Sequence, residues 1–127
     1  MSVLVDTSIW IEYFRKGNNF EKLDFLIDEN LVVTNDLILT ELIPFLKIRN
    51  HRKLIKLLYN INKLELIVNW EKIVEYQYKC LKSGINGVGI PDLIIVQNAK
   101  QNHCEIYSLD NHFQLLKDLL KIKLIPY

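Results

Sequence analysis

The sequence predicts an α/β fold, a three-layer α/β/α arrangement with a mostly parallel sheet of about five strands. Three observations predict it. Short β-branched and aliphatic runs recur at 3–5, 31–34, 64–68, 105–109 and 123–125. Between them lie longer segments whose apolar residues return every three or four positions, the period of a helix with one buried face. Acids, hydroxyls and amides stand where strands or loops give way to helices, as N-caps do. Strands that alternate with helices throughout argue for a parallel sheet covered on both faces.

The bulk composition narrows the possibilities. A chain of 127 residues fits a single domain, 1–127, with a real core. Half of the residues are hydrophobic, which excludes a disordered tail. A formal net charge of +1 excludes a strongly basic nucleic-acid coat and leaves room for a local basic patch. Cys80 and Cys104 have no metal-ligand spacing, so packing in a reducing compartment is their expected role. No apolar run approaches the roughly 18 residues of a membrane span, and the N-terminus has no signal-peptide pattern. A soluble cytoplasmic protein is expected.

Val3 to Val5 is the first strand, and Asp6 stands at its carboxyl end. In open parallel sheets that edge is where ligands bind, which makes Asp6 the first candidate for chemistry. Thr7 or Asp6 caps a helix from Ser8 to about Arg15, ended by Gly17, Asn18 and Asn19. A second helical segment, 20–29, spaces Leu23, Leu26 and Ile27 along one face. After the strand at 31–34, Asn35 caps the next helix. Pro44 lacks the N–H that would bond back to Thr40, so a kink or break is expected near it. A helix over 50–60 turns Leu54, Leu57 and Leu58 inward. Asn69 caps the long helix that follows the strand 64–68 and ends at Ser83 and Gly84. Gly84, Gly87 and Gly89 lie in the next loop and lack the Gly-Lys-Ser/Thr of a phosphate-binding loop. Pro91 suits a first helical position, putting Asp92 in the first turn of a helix to about Asn102. The strand 105–109, a helix capped by Asp110 or Asn111 and reaching about Lys121, and a last strand at 123–125 follow.

Asp6, Asp92 and Asp110 each have an ordinary explanation. An acid at a helix N-terminus satisfies orphan N–H groups and complements the helix dipole, contributing roughly 0.5–2 kcal/mol. Glu41 does not fit that explanation. It falls within the apolar stripe of Ile38, Leu42 and Phe45, where an unpaired charge is expensive. It needs a buried Lys or Arg, a proton or a metal ion. A divalent cation held by all four carboxylates answers that need. The set is all oxygen, without the His or Cys that zinc prefers, so Mg²⁺ or Mn²⁺ fits. Such a site suits phosphoryl chemistry, in which the ion polarises the phosphate and lowers the pKa of an attacking water. The four carboxylates are expected to converge within one ion's reach.

The start V-D-T-S-I-W with Asp6, the helical T-E-L with Glu41, G-I-P-D-L-I-I-V-Q-N-A with Asp92 and S-L-D-N-H-F with Asp110 resemble the four acidic motifs of the PIN-domain family. The resemblance covers nearly the whole chain, with the motifs in order. Within the family the chain is most similar to the small VapC-type toxins of toxin–antitoxin pairs. That resemblance implies strand order 3-2-1-4-5, a metal-dependent endoribonuclease using one or two Mg²⁺ or Mn²⁺ ions, a homodimer, and a small cognate antitoxin as partner. It implies that Asp6, Glu41, Asp92 and Asp110 are the catalytic, metal-holding acids. Ser8 matches the hydroxyl after the first acid, which holds a metal-bound water or orients Asp6, and Ser108 stands where Thr is more usual. Val96, Gln97, Asn98 and Ala99 depart from the small residues usual after the third acid, with consequences for helix packing or the dimer face.

Lys47, Arg49, His51, Arg52, Lys53 and Lys56 lie in a stretch with no acid between Glu41 and Glu65. It reads either as a solvated helix face or as a patch for the RNA backbone, in which Arg49, Arg52 and Lys53 are the candidates. His51, His103 and His112 have no motif partner, and a metal-bound hydroxide makes a His general base unnecessary; His112 follows Asp110 closely enough to line the cleft, but a surface place is expected for it. Trp10, Tyr13 and Phe14 read as core or dimer contacts rather than a base-stacking platform. Three rival functions remain. An aspartyl-nucleophile phosphatase wants a second Asp where Ser8 stands. A signalling receiver wants paired acids after the first strand and an Asp after the third, where Val68 and Asn69 stand. A catalytically silent PIN-like RNA- or protein-binding module would have lost acids that this chain retains.

Overall fold

β1 (Val3–Val5) lies inside a parallel sheet, buried along its whole length. It pairs with β2 (Val32–Thr34) on one side and with β4 (Glu105–Tyr107) on the other; β2 pairs with β3 (Asn62–Lys63), giving the order β3-β2-β1-β4. The computed structural model describes residues 1–17 and 20–126. Asn18 and Asn19, expected to help end the first helix, lie outside the described residues.

The helices are α1 (Thr7–Lys16), α2 (Glu21–Asp28), α3 (Asp36–Ile48), α4 (Arg52–Asn60), α5 (Trp70–Lys82), α6 (Ile90–Gln101) and α7 (Asn111–Leu120). α1 packs on α3 and α3 on α4, whereas α5, α6 and α7 pack on one another and α6 on β4. Trp10, Leu42, Leu93, Ile106 and Phe113 are among the side chains fully enclosed. Cys80 and Cys104 are free and buried, and burial pushes both thiols up, as suits packing residues. Among the described residues no helix is long and apolar enough to cross a membrane.

The fold matches the predicted class with three local differences. The strand expected at 123–125 is reduced to one parallel bridge, Ile106 to Leu124. The Ile106 N–H donates to the Lys123 carbonyl (2.8 Å) and the Ile125 N–H to the Ile106 carbonyl (2.9 Å). Among the described residues the sheet thus has four strands, and the fifth segment lies where the predicted order puts it. Of the kink or break expected at Pro44, the break does not occur: α3 runs through to Ile48. Thr40 and Pro44 are both exposed, so solvent serves the carbonyl that the missing N–H leaves free.

The third difference is the strand expected at 64–68. Pairing occurs earlier, at Asn62–Lys63, and ends with the Leu64 N–H on the Thr34 carbonyl (2.8 Å). Beyond that point β2 has turned into α3 and offers no further edge. Gln97 and Asn98 of α6 take its place. Asn98 Nδ2 donates to the Glu65 carbonyl (3.1 Å), and Gln97 Nε2 donates to the Ile67 carbonyl (2.8 Å). Gln97 Oε1 accepts from the Asn69 N–H (3.0 Å). Asn35 Nδ2 donates to Asn98 Oδ1 (2.8 Å), while Asn35 Oδ1 accepts from the Ile38 N–H (2.9 Å) and so caps α3. Gln97 and Asn98 are 3% and 0% exposed, so they serve internal packing rather than an outer face.

Asn98→Ala strands both the Asn35 amide and the Glu65 carbonyl. It should lower the unfolding free energy by about 2–4 kcal/mol in a urea titration and speed amide exchange in segment 64–69. A loss below about 1 kcal/mol would mean that water replaces the amide.

Candidate metal centre

The carboxyl edge of the sheet collects the acids because parallel strands all deliver their chain ends there. Asp6 follows β1 directly, and Asp110 follows β4 after two residues. Glu41 and Asp92 reach the same region from the second turn of α3 and the first turn of α6.

Asp6 starts α1 with its backbone alone. Its carbonyl accepts from the Ile9 N–H (3.1 Å), but its carboxylate makes no capping bond. Instead Oδ2 accepts from Ser8 Oγ (2.8 Å) and from Ser108 Oγ (2.8 Å). Ser8 Oγ in turn accepts from the Leu109 N–H (3.0 Å), and Ser108 Oγ accepts from the Asp110 N–H (2.9 Å). Each hydroxyl relays a backbone donor into the same carboxylate oxygen. Capping therefore fails as an explanation of Asp6, and among the described residues Oδ1 takes no hydrogen bond. Asp110 does cap, accepting from the His112 N–H at 2.9 Å. The Asp92 carboxylate meets the Gly89 N–H only at 3.4 Å.

Glu41 is a correction. It is exposed, at the edge of the apolar stripe between half-buried Leu37 and Phe45, rather than within it. What ties it to the site is proximity: Thr7 Oγ1 donates to its Oε1 (3.4 Å), and its carboxyl is pushed up by partial desolvation, by Asp6 and by Asp92 against that hydrogen bond. Asp92 is pushed up in the same way, by desolvation first and then by the charges of Asp110 and Asp6. The Gly89 N–H and His112 act in the opposite direction. The acids thus repel one another across a shared space.

His112 is the residue that sequence reasoning set aside, preferring a surface place to the cleft. Expected at the surface, its ring lies over the acids, with Nδ1 3.4 Å from Asp92 Oδ2 and 3.4 Å from Asp110 Oδ1. That nitrogen is buried and takes no hydrogen bond among the described residues. Donor atoms of Asp92, Asp110 and His112 all lie within 4.8 Å of one another. Among the described residues this is the tightest set; Asp6 and Glu41 stand outside it, coupled to it by charge. Mutually repelling carboxylates and an orphaned imidazole nitrogen together fit a divalent cation. Beside the oxygens expected from the sequence, this cluster offers one imidazole nitrogen. A usable signal existed: the second residue of the helix that Asp110 caps is within reach of the cap carboxylate.

The other histidines have structural places. His51 Nδ1 accepts from the Leu54 N–H (3.3 Å) to cap α4, and its ring lies 4.7 Å from that of Phe14. His103 follows α6 in a left-handed conformation (φ 53°). Trp10 is buried and Tyr13 and Phe14 are half-buried, as core residues. Arg49, Arg52 and Lys53 are exposed, with the Arg49 guanidinium 4.3 Å from the Phe45 ring centre. Arg49 lies eight residues beyond Glu41, about 12 Å along the helix direction.

A family model described as PIN domain matches residues 3–119. Among solved structures the chain is similar to VapBC2 from Rickettsia felis bound to a DNA fragment from their promoter, with TM-score 0.80, 18% identity, and coverage of 100% of this chain and 99% of that one. It is similar also to DNA-bound VapBC from Salmonella typhimurium, with TM-score 0.77, 14% identity, and coverage of 98% and 97%. At these identities the likeness is one of fold. No curated protein matches the sequence.

An acid with a raised folded-state pKa holds more protons folded than unfolded, so stability falls as pH rises through that window. In chelated protein, Asp92→Asn should therefore raise Tm near neutral pH, by a margin that closes below about pH 4. Thermal melts across that range check this, and a variant less stable than wild type at neutral pH would remove Asp92 from the repelling set.

Proposed function

The chain belongs to the PIN-domain family, and from that premise we propose that it is a metal-dependent endoribonuclease, the VapC-type toxin of a toxin–antitoxin pair. The observation that carries the reading is the gathering of Asp6, Asp92 and Asp110 at the carboxyl edge of the sheet. There Asp6 is held away from its capping role by two serines. Asp6, Glu41, Asp92 and Asp110 would hold one or two Mg²⁺ or Mn²⁺ ions, which when bound supply charge that polarises a phosphodiester and lowers the pKa of an attacking water.

The chain's own residues set up the rest. Ser8 and Ser108 fix the Asp6 carboxylate through Oδ2, which leaves its other oxygen without a hydrogen bond among the described residues and limits the side chain's search. Asp110, tied at its N–H to Ser108 and at its carboxylate to the start of α7, is held as firmly. Glu41, on the exposed rim, is placed to meet substrate and solvent. Hydrolysis would proceed by in-line attack of water, with no covalent enzyme intermediate. Arg49, Arg52 and Lys53 supply phosphate contacts farther along the RNA, and the stacking of Arg49 on Phe45 orders one of them in advance.

The partners follow from the same reading. The two solved structures named above are VapBC complexes, which supports a small cognate antitoxin; on this reading the pair acts in the cytoplasm. Trp70, Val74, Tyr78 and Leu81 are each 58% exposed or more and recur at helical spacing along α5, which supports a homodimer.

With metal present, Asp6→Asn and Asp92→Asn should lower single-turnover cleavage of RNA at least about 100-fold. Ser8→Ala and Ser108→Ala should lower it by about 10–100-fold. Undiminished cleavage by Asp6→Asn protein, or cleavage in excess chelator, would defeat the assignment. Arg52→Ala and Lys53→Ala should weaken RNA binding evenly across sequences and reduce the salt dependence by about 0.7 per residue in a log–log plot, measured by filter binding. An unchanged slope would return these residues to a solvated helix face.

A further inference from the structure

We infer that His112 Nδ1 is a protein ligand of the metal, beside Asp92 and Asp110, and that this imidazole biases the centre toward Mn²⁺ over Mg²⁺. The inference rests on the metal reading above and adds to it a ligand that is not one of the four acids.

Three features of the ring's setting carry it. Nδ1 is buried beside two carboxylates, 3.4 Å from an oxygen of each, yet bonds to neither. A structural His–Asp pair closes to hydrogen-bond distance, roughly 2.7–2.9 Å when charged. Two donors that share one cation at about 2.1 Å stand at most about 4.2 Å apart and need no alignment with each other. The separations seen here are those of donors arranged around a common point.

The ring is also presented in one sense. The His112 backbone N–H is fixed on Asp110 Oδ1 (2.9 Å). Gly87, at φ 83°, brings the loop backbone near the opposite edge, where a Cβ would lie 3.9 Å from Nε2. Nε2 therefore faces the loop while Nδ1 faces the acids.

The ligand type sets the metal preference. Carboxylates serve Mg²⁺ and Mn²⁺ alike, but Mg²⁺ is the harder ion and favours oxygen, whereas imidazole nitrogen favours the transition metal.

The test is Mn²⁺ and Mg²⁺ binding to the chelated full chain, by calorimetry and by electron spin-echo spectroscopy of bound Mn²⁺. Wild type should show ¹⁴N modulation, and His112→Gln should lose it. His51 and His103 remain in that variant, so the lost signal belongs to His112. The Mn²⁺ Kd should rise about 10-fold or more, with Mg²⁺ changing less than about threefold. Circular dichroism checks the fold, and His112→Asn, with a shorter reach, replaces Gln if the fold is disturbed. No ¹⁴N modulation in wild type, modulation that survives the substitution, or equal losses for both metals would overturn the inference. The two readings fail separately. A protein that holds Mn²⁺ through nitrogen yet cleaves no RNA keeps the ligand and loses the ribonuclease; cleavage with no nitrogen on the metal does the reverse.

Discussion

One carboxylate oxygen links the two ends of this chain. Asp6 Oδ2 takes hydroxyls from Ser8 and from Ser108, and those hydroxyls take the N–H groups of Leu109 and Asp110. The link is possible because β1 and β4 are parallel neighbours with Val5 opposite Tyr107, so the residues after each strand leave the sheet side by side. Charge-assisted hydrogen bonds are roughly twice as strong as neutral ones, and here they orient the side chain nearest the centre of the sheet. The place of Asp110, and through it of His112, depends on that link.

The same topology imposes a cost. Parallel strands deliver their carboxyl ends to one edge, and there partial desolvation first, and then the charges of the neighbouring acids, raise the protonation tendency of Asp92 and Glu41. An arrangement that repels itself is poorly explained as a stability device and well explained as a socket for positive charge. Glu41 sharpens the point, because its role was first argued from a burial that it does not have. It stands exposed at the rim, and its relation to the site is electrostatic, through Asp6 and Asp92. The case from burial falls, and what ties the residue to Asp6 and Asp92 is charge and partial desolvation.

Gln97 and Asn98 show how a polar substitution in a helix becomes a structural part. Their amides bond to the backbone of 65–69 where β2 no longer can, and Asn35 joins that network while capping α3. The run of alternating residues at 64–68 looks like a strand because its composition is that of one. Whether it pairs is decided by whether a neighbouring edge is still there, and β2 has ended at Thr34. Pro44 is a similar case: its effect on a helix depends on whether water reaches the carbonyl it frees.

The sequence by itself determined the alternation of strands and helices, the caps at Asn35 and Asn69, a last cap at Asp110 or Asn111, and the order in which four acids arrive. These are local matters, set by side-chain periodicity and by which residues bond to their own backbone within a turn. Tertiary structure alone decided that Asp6 bonds to Ser108 rather than capping α1, that Glu41 is at a rim, and that Gln97 and Asn98 stand in for a strand. It alone decided that His112 leans over Asp92. Each of these is a contact between residues about twenty to a hundred positions apart, and a distance of that kind is created by packing, which no local pattern encodes.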